Sequence, residues 1–314
     1  MPERTIGVAA TGGDSNQVIA TIQDLERRGV NAAWLSAGGG LDSLTLFAAA
    51  AATTERILLG TCITTTWSRH PITAIQQAQV VGQLAPGRFR YGVGTGHAKS
   101  IEGMFGIDFN SPLSHLREYL TLSRALLDKG AVEFEGSYYR GSSKLMAPMP
   151  EIPVMAAALR PKAYEVCGEL ADGAISWVSP GVYLRDVALP ALRKGADRAK
   201  RQAPPLIAHV PICVSEDFDA VCDAARNQLA IYPRSPFYQQ MFAAAGFPEA
   251  GETETWSEGM VEGVVFSGNE GQVTSRINEL FDWGISEIIV SVVTVGNDTA
   301  ASRERTLGLL ASLS

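Results

Sequence analysis

The residues best suited to chemistry lie together in Arg88-Phe89-Arg90-Tyr91-Gly92-Val93-Gly94-Thr95-Gly96-His97. Alternate glycines at the end of a β-prone run leave a backbone that a flat or phosphorylated group could approach closely, or else simply permit a tight turn. His97 carries the one side chain here that exchanges a proton near neutrality, although it could equally be a loop residue that orders backbone. Two nucleotide motifs fail. The spacing is G-x-G-x-G with His97 after it, not G-x-G-x-x-G, and Lys99-Ser100 is preceded by Ala98 rather than the glycine of a phosphate loop.

Other chemistries find little support. The four histidines, His70, His97, His115 and His209, are dispersed, which argues against a metal site. No predicted strand carries a lysine for Schiff-base chemistry, and no carboxylate pair stands where strands end. Cys62, Cys167, Cys213 and Cys222 lack C-x-x-C spacing and sit in apolar segments, as buried free thiols of a reducing cytoplasm do. A net charge of -7 supplies no basic field for nucleic acid or an anionic membrane, so the expected partner is a small molecule. The apolar run around Leu46 to Ala52 is far shorter than the ~18 residues of a membrane span, and no targeting segment is read before the first strand.

The elements that position these residues repeat. Strands are predicted at Ile6 to Ala10, Ala32 to Leu35, Arg56 to Ile63, the opening stretch, Pro153 to Ala158, Gly173 to Val178, Leu206 to Val214 and Glu287 to Val293. Helices follow them, begun by Asp14 or Ser15, Asp42, Pro71, Pro112, Pro161, about Val182 (running to Arg201), Asp217, Glu270 and Asp298. Residues 106–110 are expected to end a polar loop after the fourth strand, the segment around Tyr138-Tyr139 to be irregular, and 231–263 to be an insertion rich in aromatics, prolines and glycines. With 314 residues, 46% of them hydrophobic, the economical fold is one (β/α)8 TIM barrel over residues 1–314, with insertions after the strands. Its site would lie at the C-terminal strand ends, which carry mostly Gly, Thr, Ser, Cys, Trp and one His. Such a rim suits a cofactor that brings its own electronics.

Leu58-Leu59-Gly60-Thr61-Cys62-Ile63, Arg69-His70-Pro71, Gly87-Arg88-Phe89 and Tyr91 to His97 resemble the luciferase-like superfamily, and in particular its coenzyme F420-dependent branch, which is similar to methylenetetrahydromethanopterin reductase. Gly106-Ile107-Asp108, Leu116-Arg117-Glu118-Tyr119, Ala157 to Pro161 and Glu169 to Gly173 extend the likeness, which covers the second strand to about Tyr238. The resemblance implies hydride transfer between the reduced deazaflavin F420 and a C=C, C=N or C=O bond of a small substrate. An FMN-dependent monooxygenase and a non-catalytic flavin-binding barrel remain alternatives, and relatives are commonly homodimers.

The resemblance also implies a site. A non-proline cis peptide would join Cys62 and Ile63 against the ring system, with Thr64 beside it. Thr95, Gly96, His97 and Ser100 would face the pyrimidine side and tail, and Ala158, Leu159, Arg160 and Pro161 would hold the phosphodiester at a helix N-terminus. Trp177 and Val178 would line the channel. Many members carry an acidic residue, often followed by His, where this chain has Ala37-Gly38. His97 is then the remaining candidate for catalytic proton donor or electrophilic partner. Arg69 and His70 are expected to pack or cap, and Lys99 to be solvated unless it meets an anionic tail. The aromatics Tyr232, Phe237, Tyr238, Phe242 and Phe247 are expected in helix packing or a dimer contact, with a substrate lid as the minor reading.

Overall fold

The computed structural model describes residues 4–36 and 40–314. Eight parallel strands form β1 (Thr5–Ala9), β2 (Ala32–Leu35), β3 (Leu58–Thr61), β4 (Phe89–Gly94), β5 (Val154–Ala158), β6 (Gly173–Ser176), β7 (Leu206–Val214) and β8 (Glu287–Val292). Each pairs with the next, and β8 returns to β1 through pairs such as Ile6 with Ile288. The ring is the (β/α)8 barrel that the sequence predicts.

Local chemistry sets the helix starts. Asp14, Asp42, Asp217 and Asp298 each accept a backbone N–H three residues on, which satisfies one of the donors that a helix start leaves unpaired. Pro71, Pro112 and Pro161 stand at first helical positions, where a missing N–H costs nothing. Helix Ser15–Arg28 buries Val18, Ile22 and Leu25 and stops at Gly29, whose φ of 86° is left-handed.

The barrel interior is a packed core. Ala32, Trp34, Met155, Ile175, Ile207 and Ile289 fill it from alternate positions of their strands. Trp34 is the largest, and the strands on either side make room for it with glycine. A Cβ at Gly60 would lie 2.4 Å from the indole and one at Gly7 2.7 Å from it. The indole N–H donates to Glu287 Oε1 at 2.8 Å, and Arg90 donates to both oxygens of the same carboxylate while its guanidinium lies 4.4 Å from the indole centroid.

Three segments depart from the sequence-based expectation. The long helix from Val182 is broken into Gly181–Tyr183, a π turn at Leu184–Ala188 and Leu189–Arg198. Pro190 has no N–H to return to residue 186, and the Leu189 N–H bonds to the Leu184 carbonyl, five residues back. The presumed loop after β4 contains a helix, Ala98–Phe105. The irregular piece contains an antiparallel hairpin, Ala131–Glu135 with Arg140–Lys144. Residues 231–263 hold the helices Pro236–Ala244 and Ala250–Thr253 and most of Glu258–Val264. No helix among the described residues is long and apolar enough to cross a membrane.

Candidate active site at the barrel mouth

At the C-terminal end of β3 the ladder changes register. Gly60 pairs with Arg90, but Thr64 pairs with Val93, so the β3 side carries one residue more than β4 over the same span. This is a β-bulge. Thr61 stitches it: its hydroxyl accepts the Gly92 N–H at 2.8 Å and donates to the Gly92 carbonyl at 2.7 Å. The peptide that follows, Cys62–Ile63, is cis, at the position to which the resemblance assigns such a bond.

The bulge corrects the first reading of the glycines. A Cβ at Gly92 would lie 1.8 Å from the Thr61 carbonyl oxygen, and one at Gly94 about 3.0 Å from Ile63 and 2.9 Å from Ala157. Protein atoms therefore fill the space those two glycines leave, and what approaches closely there is the neighbouring strand. Gly96 differs, since its φ of 66° is the left-handed turn out of β4.

His97 ends that turn. Its carbonyl accepts the Ser100 and Ile101 N–H groups and so opens helix Ala98–Phe105, while the imidazole makes no capping hydrogen bond. The ring instead tilts against Tyr238 at 5.8 Å, and burial lowers its pKa, leaving it neutral at neutral pH. Thr95 is partly buried beside it, whereas Lys99 and Ser100 are exposed on the new helix. Thr64 is buried near the Tyr91 phenol, in the layer between strands and helices.

Across the mouth, Trp177 follows β6. Val178 after it is buried with φ 49°, a left-handed conformation that β-branched residues rarely adopt. Trp177 stacks on His209 of β7 at 3.6 Å and 14°, and its indole N–H donates to the Tyr232 hydroxyl at 2.6 Å. His209 Nε2 lies 2.7 Å from Ser291 Oγ of β8, while its buried Nδ1 has no partner. With no charge beside it, burial alone drives the His209 pKa down to about 3.

The inserted segment lies over this end of the barrel. Tyr232 meets Tyr238 edge-on at 5.0 Å, Tyr238 meets His97, and the Cys62 thiol is close enough to Tyr232 to help raise its pKa, after the larger effect of burial. Tyr232 and Tyr238 thus link the ends of β4 and β6, while Phe242 continues inward to Trp256.

At the end of β5, Ala158 is buried, the Leu159 carbonyl accepts the Tyr183 hydroxyl at 3.0 Å, and Arg160 precedes helix Pro161–Leu170. Arg160 and Lys162 are exposed, and neither forms an ion pair among the described residues. Arg69 and His70 have structural tasks. Arg69 pairs with Asp42 at 2.5 Å, and His70 Nδ1 accepts the Ile72 N–H. Ala37 and Gly38 lie outside the described residues.

The structure therefore gathers Cys62, Ile63, His97 and Trp177 around one mouth and sets Ser100, Arg160 and Pro161 on its rim. Sequence reasoning does not single out His209 or Thr61, and Ser291 is in it only one residue of the predicted strand Glu287 to Val293. The signal for His209 was a histidine at an inward position of a nine-residue strand buried throughout.

A family model of luciferase-like monooxygenases matches residues 3–287. The chain belongs to this family. It is 33% identical over 227 residues to a protein of Nocardia farcinica named F420-dependent glucose-6-phosphate dehydrogenase, which covers 69% of this chain and 66% of the relative. The fold matches an F420-dependent secondary alcohol dehydrogenase solved with an F420-acetone adduct, at a TM-score of 0.83 and 17% identity over 99% of both chains. It also matches the coenzyme F420-dependent tetrahydromethanopterin reductase of Methanopyrus kandleri, at 0.80 and 23%, over 98% of this chain and 97% of that one.

Proposed function

We propose that this luciferase-like chain is a coenzyme F420-dependent oxidoreductase acting on a small organic substrate. The observation that carries the reading is a division of labour around the mouth. The wall made by Cys62, Ile63, Trp177 and His209 is uncharged at neutral pH, while the unpaired cations Arg160 and Lys162 stand at a helix N-terminus on the rim. A cofactor with a flat ring and an anionic tail suits both parts. The F420-dependent relative at 33% identity supports the choice of cofactor.

When bound, the deazaflavin supplies or takes up a hydride. The rest falls to this chain. The backbone at Cys62–Ile63 would provide a flat wall for the ring, and the Arg160 side chain with the Lys162 N–H in the first turn of helix Pro161–Leu170 would hold the phosphodiester; the Ala163 and Tyr164 N–H groups are taken by the Arg160 carbonyl. Trp177 and Tyr232 keep water from the reacting atoms and fix the approach of the substrate. His97 is neutral, so it acts through a ring N–H as a hydrogen-bond donor to developing negative charge rather than as an imidazolium. The homodimer expected of the family is part of this reading, and light scattering measures it.

The test is a fluorescence titration of the purified protein with coenzyme F420 and, separately, FMN. Micromolar or tighter binding of F420 is expected. Tight FMN binding with none of the deazaflavin, accompanied by oxygen consumption on reduction, would replace this reading with a flavin monooxygenase. His97→Ala is expected to lower kcat about tenfold or more while leaving coenzyme affinity within about twofold.

A further inference from the structure

Beside the wall to which His209 lends its uncharged ring, Ser291 is a polar group to which the coenzyme reading assigns no task. His209 is 2% exposed, Trp177 covers one of its faces, Nε2 meets Ser291 Oγ at 2.7 Å, and Nδ1 faces no partner. Ser291 lies two positions above Ile289 on β8, on the same inward face, and stays partly exposed. A buried histidine thus grips a hydroxyl that still reaches the lumen.

The surroundings restrict what that hydroxyl can meet. Ala9, Cys62, Ile63 and Trp177 are the apolar neighbours packed around the upper interior, and none is charged. Arg90 and Glu287 lie at the floor and are paired with each other. A phosphate or carboxylate placed beside Ser291 would lose water with no unpaired cation among these described neighbours to compensate.

We propose that Ser291, oriented by His209, receives the oxygen of an uncharged alcohol or carbonyl compound whose apolar part lies against Trp177. The inference rests on the oxidoreductase reading and adds the class of substrate. His209 is the positioning residue and Ser291 the substrate contact. Either neutral tautomer of His209 leaves Ser291 one free function. If Nε2–H donates to Ser291, the hydroxyl proton is free for a carbonyl oxygen. If Nε2 accepts from Ser291, the oxygen lone pairs are free for an alcohol. The pair thus serves both ends of an alcohol–carbonyl interconversion without charging the imidazole, which burial opposes.

Calorimetry on the coenzyme-loaded protein, with cyclohexanol, cyclohexanone and glucose 6-phosphate as probes, tests this. Both neutral probes are expected to bind and the sugar phosphate not to compete with them. Ser291→Ala weakens the neutral probes about five- to tenfold, the value of one neutral hydrogen bond, and Ser291→Thr restores them. Nitrogen NMR of the His209 ring is expected to shift on adding cyclohexanol, a response that a purely structural histidine would not give. Unchanged affinity in Ser291→Ala, no binding of either neutral probe, or tighter competitive binding of glucose 6-phosphate overturns the proposal. If Ser291→Ala loses coenzyme binding, the nitrogen spectrum of the wild type decides, and an unmoved His209 overturns it. Failure of the wild type to bind F420 removes the oxidoreductase reading and this inference with it. Coenzyme binding without these effects removes the inference alone.

Discussion

Thr61 holds Gly92 from both sides, accepting its N–H at 2.8 Å and donating to its carbonyl at 2.7 Å. One side chain replaces the backbone partners that the bulge takes away from β4. Thr61→Val keeps the shape and removes both bonds, leaving two buried backbone groups unpaired. A loss of about 1–3 kcal/mol is expected in urea unfolding, with Thr61→Ser recovering most of it. Equal stability of the valine variant would mean that the bulge is held by other contacts.

The floor of the barrel gives a larger effect. Glu287 is 5% exposed and accepts from both Trp34 and Arg90. Glu287→Leu strands the Arg90 guanidinium in the interior and is expected to cost about 3–5 kcal/mol, seen as a large drop in Tm or as insoluble protein. The double variant Arg90→Met with Glu287→Leu is expected to recover part of that loss, because no unpaired charge remains.

Buried histidines make stability depend on pH. Burial lowers the pKa of His115 to about 4, against a small opposing pull from Glu118, and that of His209 to about 3. The unfolded chain therefore binds these protons first, so stability is fully present above pH ~6.5 and falls as the pH drops toward the folded values. Each histidine contributes a slope of about 1.4 kcal/mol per pH unit within its window. Between pH ~6.5 and ~5 carboxylates have barely begun to titrate, so the urea midpoint there reports the histidines. A midpoint that does not move across that interval would contradict the burial of both rings.

Arg160 governs the coenzyme tail in the proposed function. Arg160→Gln is expected to weaken F420 binding about tenfold or more and to flatten its dependence on salt. Fluorescence titration at low and high ionic strength measures both. The same salt dependence in variant and wild type would move the phosphodiester away from this helix.

The barrel was legible because its signals were strong. Leu206–Val214 is apolar from end to end, and four aspartates and three prolines mark helix starts. The hairpin strand Arg140–Lys144 was not, since its residues, Arg-Gly-Ser-Ser-Lys, show no apolar alternation. Helix Ala98–Phe105 buries only Ile101, too little to leave a period. The site was half legible. Strand ends can be listed from the sequence, but the pattern of glycines does not tell space for a ligand from a tight turn, nor show that Thr61 and Ile63 fill the space beside Gly92 and Gly94. Tyr232 reaches the mouth from residues outside the repeating pattern, and no local spacing announces a contact with Trp177, 55 residues away.

Trp34, fully buried between Gly7 and Gly60, makes the barrel a vessel with one opening. Whatever lies deepest must arrive first and depart last, and nothing can leave by the far end while a companion stays seated above it. Traffic through the enzyme is thereby put in sequence before any chemistry begins, and the bulk of one indole imposes that order.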